Sequence, residues 1–184
     1  MMEELLKQIE EAGLKIYQQQ PHEDTMLLRW WMDLLEGDET DDVLPLQAQR
    51  LPYFLNLMQP PRMLVYSADD KDIWIAAWFE ELFGGAIVLM GLWIDPTKRK
   101  SKRSFKAIRT IYDVALNMWP NIMGVTQEHL LDVHTKAGYG VLGKFEKLWD
   151  GEKPGWLVLL NRQGFENGSF GGKHEDLQES SNGH

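Results

Sequence analysis

The stretch "DPTKRKSKRSFKAIRTIYDVAL" (95–116) carries seven of the chain's 19 basic residues between Lys98 and Arg109, although the formal net charge is −9. Phe105, Ile108, Ile111, Tyr112, Ala115 and Trp119 recur at helical spacing, which predicts an amphipathic helix with one core-facing side. The cations crowd the start of that helix, where each opposes the helix dipole by about 0.3–1 kcal/mol near the surface. A bound anion relieves this repulsion, and the free backbone N–H groups of a helix start suit one. The expectation is an anion site, with a solvated run of charge as the plainer alternative.

Working outward, the run before this helix, "GAIVLMGLWID" (85–95), is apolar and bounded by turn residues. It follows "RMLVYSADD" (62–70) and "DIWIAAWFEEL" (72–82), so three antiparallel strands in a meander are expected. After the helix come a short strand "NIMGVTQ" (121–127) and a helix "EHLLDVHTKAGY" (128–139) ended by Gly138. A hairpin of "GVLGKFEKLW" and "GWLVLLN" follows, turning at "DGEKPG". Upstream, residues 2–11 and 21–37 read as helices, "LKIYQ" (14–18) as a short strand, and 45–61 as a helix disturbed by Pro52. Trp30 and Trp31 are neighbours on one helix and hard to bury together in two layers, so core packing, a substrate cleft or an oligomer surface is open to them. The whole is an α/β fold with a mostly antiparallel central sheet and one parallel strand junction. One domain over 1–161 is expected, with a helical part (1–60), a core (62–161) and a disordered acidic tail (162–184).

Composition narrows the function classes. With no cysteine there is no disulfide framework, no thiolate nucleophile and no Cys-based metal site. No metal site of another kind is expected, because "HEDTMLLRWWMD" lacks the HExxH spacing. No apolar run reaches the ~20 residues of a membrane span, and the acidic N-terminus is no secretory signal, so a cytoplasmic protein is expected. The acidic net charge argues against general nucleic-acid binding except where cations cluster, and they cluster only at 98–109.

Two segments resemble the GNAT superfamily, the GCN5-related N-acetyltransferases. That family has a strand ending in V-x-P, then R/Q-x-x-G-x-G/A opening a helix. Here Ile94 and Pro96 match the strand end and Arg99 the leading residue, while Lys102 and Ser104 fall at the glycine positions. The family's N-x-x-A-x-x-x-Y-x-x-x-G-F is matched by Gln127, Leu130, His134, Gly138 and Tyr139. The resemblance covers roughly 62–161 and is similar to divergent bacteriophage members in its basic, serine-containing loop.

The resemblance implies a GNAT-like acyl-CoA N-acyltransferase fold and acetyl transfer from acetyl-CoA to a primary amine on a small molecule or protein. It places the pantetheine arm on backbone of Leu92, Trp93 and Ile94, with an oxyanion-binding N–H near Leu92 and Gln127 at the family's Asn position. It places the pyrophosphate at Arg99, Lys100, Ser101, Lys102, Arg103 and Ser104, the two serines adding hydroxyl donors. His134 stands for the tyrosine that protonates the departing thiolate, and its ordinary pKa suits the task. Glu80 and Glu81 are the candidates for general base; alternation puts them on opposite sheet faces, so one at most enters a cleft. Gly91 marks either a bulge that splays the strands or a packing position. The alternative function is a non-catalytic phage or prophage protein of this fold, holding nucleic acid or a virion partner through 98–109, in a host cytoplasm or a virion.

Overall fold

The computed structural model describes residues 2–18, 20–36, 63–70, 72–81, 86–99, 101–149 and 153–170. The helix expected over 45–61 and the tail beyond 170 lie outside the described residues, as does Lys100. Helices α1 (Met2–Glu11) and α2 (Pro21–Glu36) flank the two-residue strand β1 (Lys15–Ile16). The meander is β2 (Met63–Asp69), β3 (Asp72–Glu81) and β4 (Ala86–Ile94). A 3-10 turn (Pro96–Lys98) leads into α3 (Lys102–Met118), then β5 (Asn121–Thr126) and α4 (Glu128–Lys136). The hairpin β6 (Gly140–Trp149) and β7 (Lys153–Asn161) ends in α5 (Arg162–Asn167). Among the described residues no helix is long and apolar enough to cross a membrane.

The seven strands form one sheet in the order β1-β2-β3-β4-β5-β7-β6. All pairs are antiparallel except β4 with β5, as the strand–helix–strand order through α3 requires. That parallel pair is short: it runs from Ala86↔Asn121 to Leu89↔Gly124 and stops. Beyond it β4 stays with β3 as far as Ile94, while β5 stays with β7 as far as Thr126. The two central strands therefore part after Leu89. The cause is local. Trp78 pairs with Gly91 and Phe79 with Leu89, so Met90 is an extra residue in β4 and bends it away. Gly91 also gives room to Trp78, since a Cβ there would lie 2.2 Å from the indole. Both readings of this glycine apply at once.

One core lies between the sheet and α1, α3 and α5, built on Leu5, Ile75, Phe79, Ile111, Ile122, Val158 and Phe165. The other lies under α2 and is dominated by Trp30, Trp31, Trp78 and Trp93. Trp30 and Trp31 are both buried in this core, and Trp30 also reaches a small cavity beside Arg29, Asp33 and Asp72. Trp31 meets Trp78 edge-on at 6.1 Å and Trp30 meets Trp93 at 5.5 Å; this geometry lets two adjacent helical positions share one aromatic layer.

Two expectations need correction. Phe105 was expected in the core face of its helix but is exposed; the buried face runs through Ser104, Ala107, Ile111, Tyr112, Val114, Ala115 and Leu116. The rotation leaves Phe105 against Phe170, ring centroids 5.1 Å apart. Nor does disorder begin at 162. Asn161 accepts from the Gly164 N–H at 2.8 Å to start α5, Phe165 is buried, and Ser169 N donates to the Lys136 carbonyl at 2.7 Å. A Cβ on Gly138 would sit 1.9 Å from the Gly164 carbonyl, and its φ of +101° is a second reason for glycine there.

Candidate active site

The parting of β4 and β5 opens a cavity of about 210 Å³. Its walls come from both faces of the sheet: Leu89 and Leu92 pack toward the α3 side, and Met90 toward the tryptophan side. From Met90 to Trp93 the edge of β4 that faces β5 has no partner strand among the described residues. A second cavity of about 500 Å³ adjoins on the α3 side, walled by Ile94, Arg99, Ile108, His129, Val133 and Phe170 among others. Leu92, Tyr112, Leu130, His134 and Tyr139 line both. The result is one cleft with a narrow end in the sheet and a wide, mostly apolar end under α3 and α4.

Of the sequence candidates, the structure brings Leu92, Trp93, Ile94, Arg99, Gln127 and His134 to this cleft. Glu80 and Glu81 do not line it. Glu80 is half-buried on the face that carries Trp78, while Glu81 is exposed on the other, as their pairing with Val88 and Ile87 requires.

His134 sits one helical turn past Leu130, and its Nδ1 lies 2.9 Å from the Leu130 carbonyl oxygen and 3.1 Å from Thr126 Oγ1. A carbonyl only accepts, so Nδ1 carries a proton. Desolvation by burial lowers the pKa of the ring below the ordinary 6.5, outweighing the Leu130 hydrogen bond that raises it. The ring is therefore neutral at pH 7, with its lone pair on Nε2. In the neutral form the ring's one proton is held by the Leu130 carbonyl, which leaves Nε2 to accept.

Sequence reasoning missed Tyr112 and Tyr139 as site residues. Tyr139 lies at the position of the family's aromatic residue, T-shaped to His134 at 5.2 Å and to Tyr112 at 6.0 Å. Its hydroxyl is buried beside that of Tyr112, and burial, with the Tyr112 phenol next to it, holds the Tyr139 phenol well above its ordinary pKa. A phenol where the family has a plain ring was the available signal.

The basic loop is less available to an anion than its sequence suggests. Ser101 is the N-cap of α3, its Oγ accepting from Ser104 N at 3.1 Å. Ser104 is buried and donates to the Lys98 carbonyl at 2.6 Å, and the two hydroxyls meet at 2.7 Å. Both hydroxyls therefore have partners within the loop itself. Arg103 is also redirected: it forms a bidentate pair with Asp69 at 2.7 and 3.1 Å and stacks on Trp74 at 4.3 Å. Lys98 joins the same carboxylate at 2.6 Å. Among the described residues, Arg99 lines the wider cavity, its Nε donating to the Ile94 carbonyl at 3.0 Å, and Lys102 is exposed at the start of α3.

By sequence, no family model and no curated protein matches the chain. Solved structures do. The aminoglycoside 6'-N-acetyltransferase from Enterococcus faecium aligns at TM-score 0.58 and 16% identity, over 80% of this chain and 96% of its own. An aminoglycoside 6'-N-acetyltransferase complexed with coenzyme A gives 0.59 and 15%, over 80% and 96%. The ribosomal-protein-S18-alanine N-acetyltransferase from Escherichia coli gives 0.60 and 8%, over 80% and 93%. The chain has the fold of the GNAT acyl-CoA N-acyltransferases: a seven-stranded mixed sheet with the single parallel pair β4–β5.

Proposed function

We propose that the protein is an acyl-CoA-dependent N-acyltransferase that moves an acetyl group to a primary amine, in the cytoplasm. The observation that carries this is the slot made where β4 and β5 part, joined to a wide cavity ending at the start of α3. Proteins of the same fold are N-acetyltransferases for aminoglycosides and for ribosomal-protein alanine, and one was crystallised with coenzyme A.

The residues present fit such a co-substrate. The unpaired edge of β4 from Leu92 to Ile94 offers backbone groups to an extended amide chain, much as a missing strand would. Gln127 stands across the slot on the β5 side. The N–H groups of the first turn of α3, with Lys102 and Arg99 beside them, suit a pyrophosphate. The mostly apolar wide cavity suits the nucleoside end. When bound, the co-substrate supplies an activated thioester acyl group.

The chain itself has three further tasks. The N–H groups of β4 near Leu92 stabilise negative charge developing on the carbonyl oxygen. Leu89, Leu92, Leu130 and Tyr139 keep water from the narrow end of the cleft. Glu80, on the tryptophan side of the sheet, takes the proton that an incoming ammonium must lose before it attacks. Glu81, exposed on the opposite face, has no part.

The experiment is incubation of the protein with acetyl-CoA and a panel of primary amines, read by mass spectrometry. An amine heavier by one acetyl group, formed in proportion to the thiol released, supports the reading. No acetylated product from any amine, with coenzyme failing to bind, rules it out.

A further inference from the structure

Among the described residues, the narrow end of the cleft holds one side chain able to take up a proton, His134. Every other polar side chain lining the 210 Å³ cavity is neutral and weakly basic: Tyr112, Thr126, Gln127 and Tyr139. No carboxylate lines either cavity among the described residues. His134 lines both, and its ring is fixed by the Nδ1–H bond to the carbonyl four residues earlier on its own helix. With Nδ1 turned to that backbone, Nε2 is the ring atom left for the cleft.

Given the acyltransferase reading above, on which this rests, we propose that His134 enters the transfer step as a neutral ring that first accepts a proton through Nε2, where its place in the chain suggests a ring already protonated. The neutral amine attacks the thioester carbonyl, a nitrogen–carbon bond forms, and the nitrogen becomes cationic. Nε2 takes a proton from that nitrogen. The carbon–sulfur bond breaks with its electron pair on sulfur, and the imidazolium returns the proton to the sulfur. Amide and free thiol leave, and His134 is neutral again. Nitrogen and sulfur are bonded to the same carbon, so one imidazole nitrogen reaches both. Glu80 handles a different proton, the one lost before attack.

The groups facing His134 support the neutral form. They are Tyr112 from α3, Thr126 from β5 and Tyr139 after α4, with His129 and Arg99 on the wall of the wider cavity. None is an anion that would stabilise the imidazolium at rest.

The test has two readouts. Nitrogen NMR of the imidazole in the ligand-free protein reports the tautomer directly: a neutral ring protonated at Nδ1 is expected, and one protonated at Nε2 overturns the proposal. Second, kcat/KM of the wild type should be flat above pH 7 and fall on the acid side, with a midpoint below the ordinary 6.5 of histidine. His134→Gln should lose about 10²–10⁴-fold in kcat/KM, the usual span for a proton-transfer group. It should also lose the acid limb and keep its affinity for coenzyme A. A limb on the alkaline side that vanishes in His134→Gln would mean the protonated ring is the working form, and overturns the proposal. If the wild type binds coenzyme but acetylates no amine, the acyltransferase reading fails, while the tautomer measured by NMR stands separately.

Discussion

Asp69 decides where much of the charge in the basic loop goes. It draws Arg103 and Lys98 to the end of β2, and those two cations hold its carboxyl at about 2, below the ordinary 3.8. A lowered pKa in the folded state means the ion pair contributes stability above pH 3.8, and that the contribution is lost as pH falls toward 2. Asp69→Asn should therefore be less stable than wild type at pH 7 and approach it by pH 2, as acid unfolding curves would show. Nothing in "ADDKD" marks Asp69 as the partner of residues 29 and 34 positions away, because the pairing depends on how β2 and α3 sit in space. Two other residues act through space alone. Gly91→Ala should cost about 1–3 kcal/mol by overpacking against Trp78, measured by denaturant unfolding. Tyr139→Phe should cost no more than about 0.5–1.5 kcal/mol, since among the described residues the buried hydroxyl it removes meets only that of Tyr112.

At the scale of elements, the start of α3 and the parting of β4 from β5 are the parts that matter. Ser101 caps α3 and Ser104 ties the cap to the preceding turn. Ser101→Ala should cost about 0.5–2 kcal/mol and, by fraying the first turn, weaken coenzyme binding more than it weakens the rest of the fold; calorimetry beside thermal unfolding separates the two. Element order was legible because periodicity switches cleanly from helical to alternating and back, and the strand–helix–strand step demands a parallel pair. The extra residue at Met90 was not legible, since bulge and packing glycine look alike until Trp78 is placed. The helix Arg162–Asn167 was hidden by its short, polar sequence with a glycine at 164; Phe165 alone carries its burial.

Across the whole molecule, two cores with different chemistry meet at one slot. The tryptophan-rich core under α2 takes one face of β2, β3 and the end of β4, while the core under α1, α3 and α5 takes the opposite face of the same strands and also β5 and β7. The candidate site was legible in its outline: Leu92, Trp93, Ile94, Arg99, Gln127 and His134 all reach the cleft. Its chemistry was less so. Side-chain partners consume Ser104, Arg103 and Lys98, and a backbone carbonyl fixes the state of His134, and neither effect follows from spacing. The central claim is that this slot and the start of α3 together bind an acyl-CoA. Calorimetric titration of coenzyme A into the protein tests it most directly. One saturable site is predicted, weakened by Lys102→Ala and blocked by filling the slot with Gly124→Trp in a variant that still folds. No heat and no thermal shift at millimolar coenzyme would contradict the account.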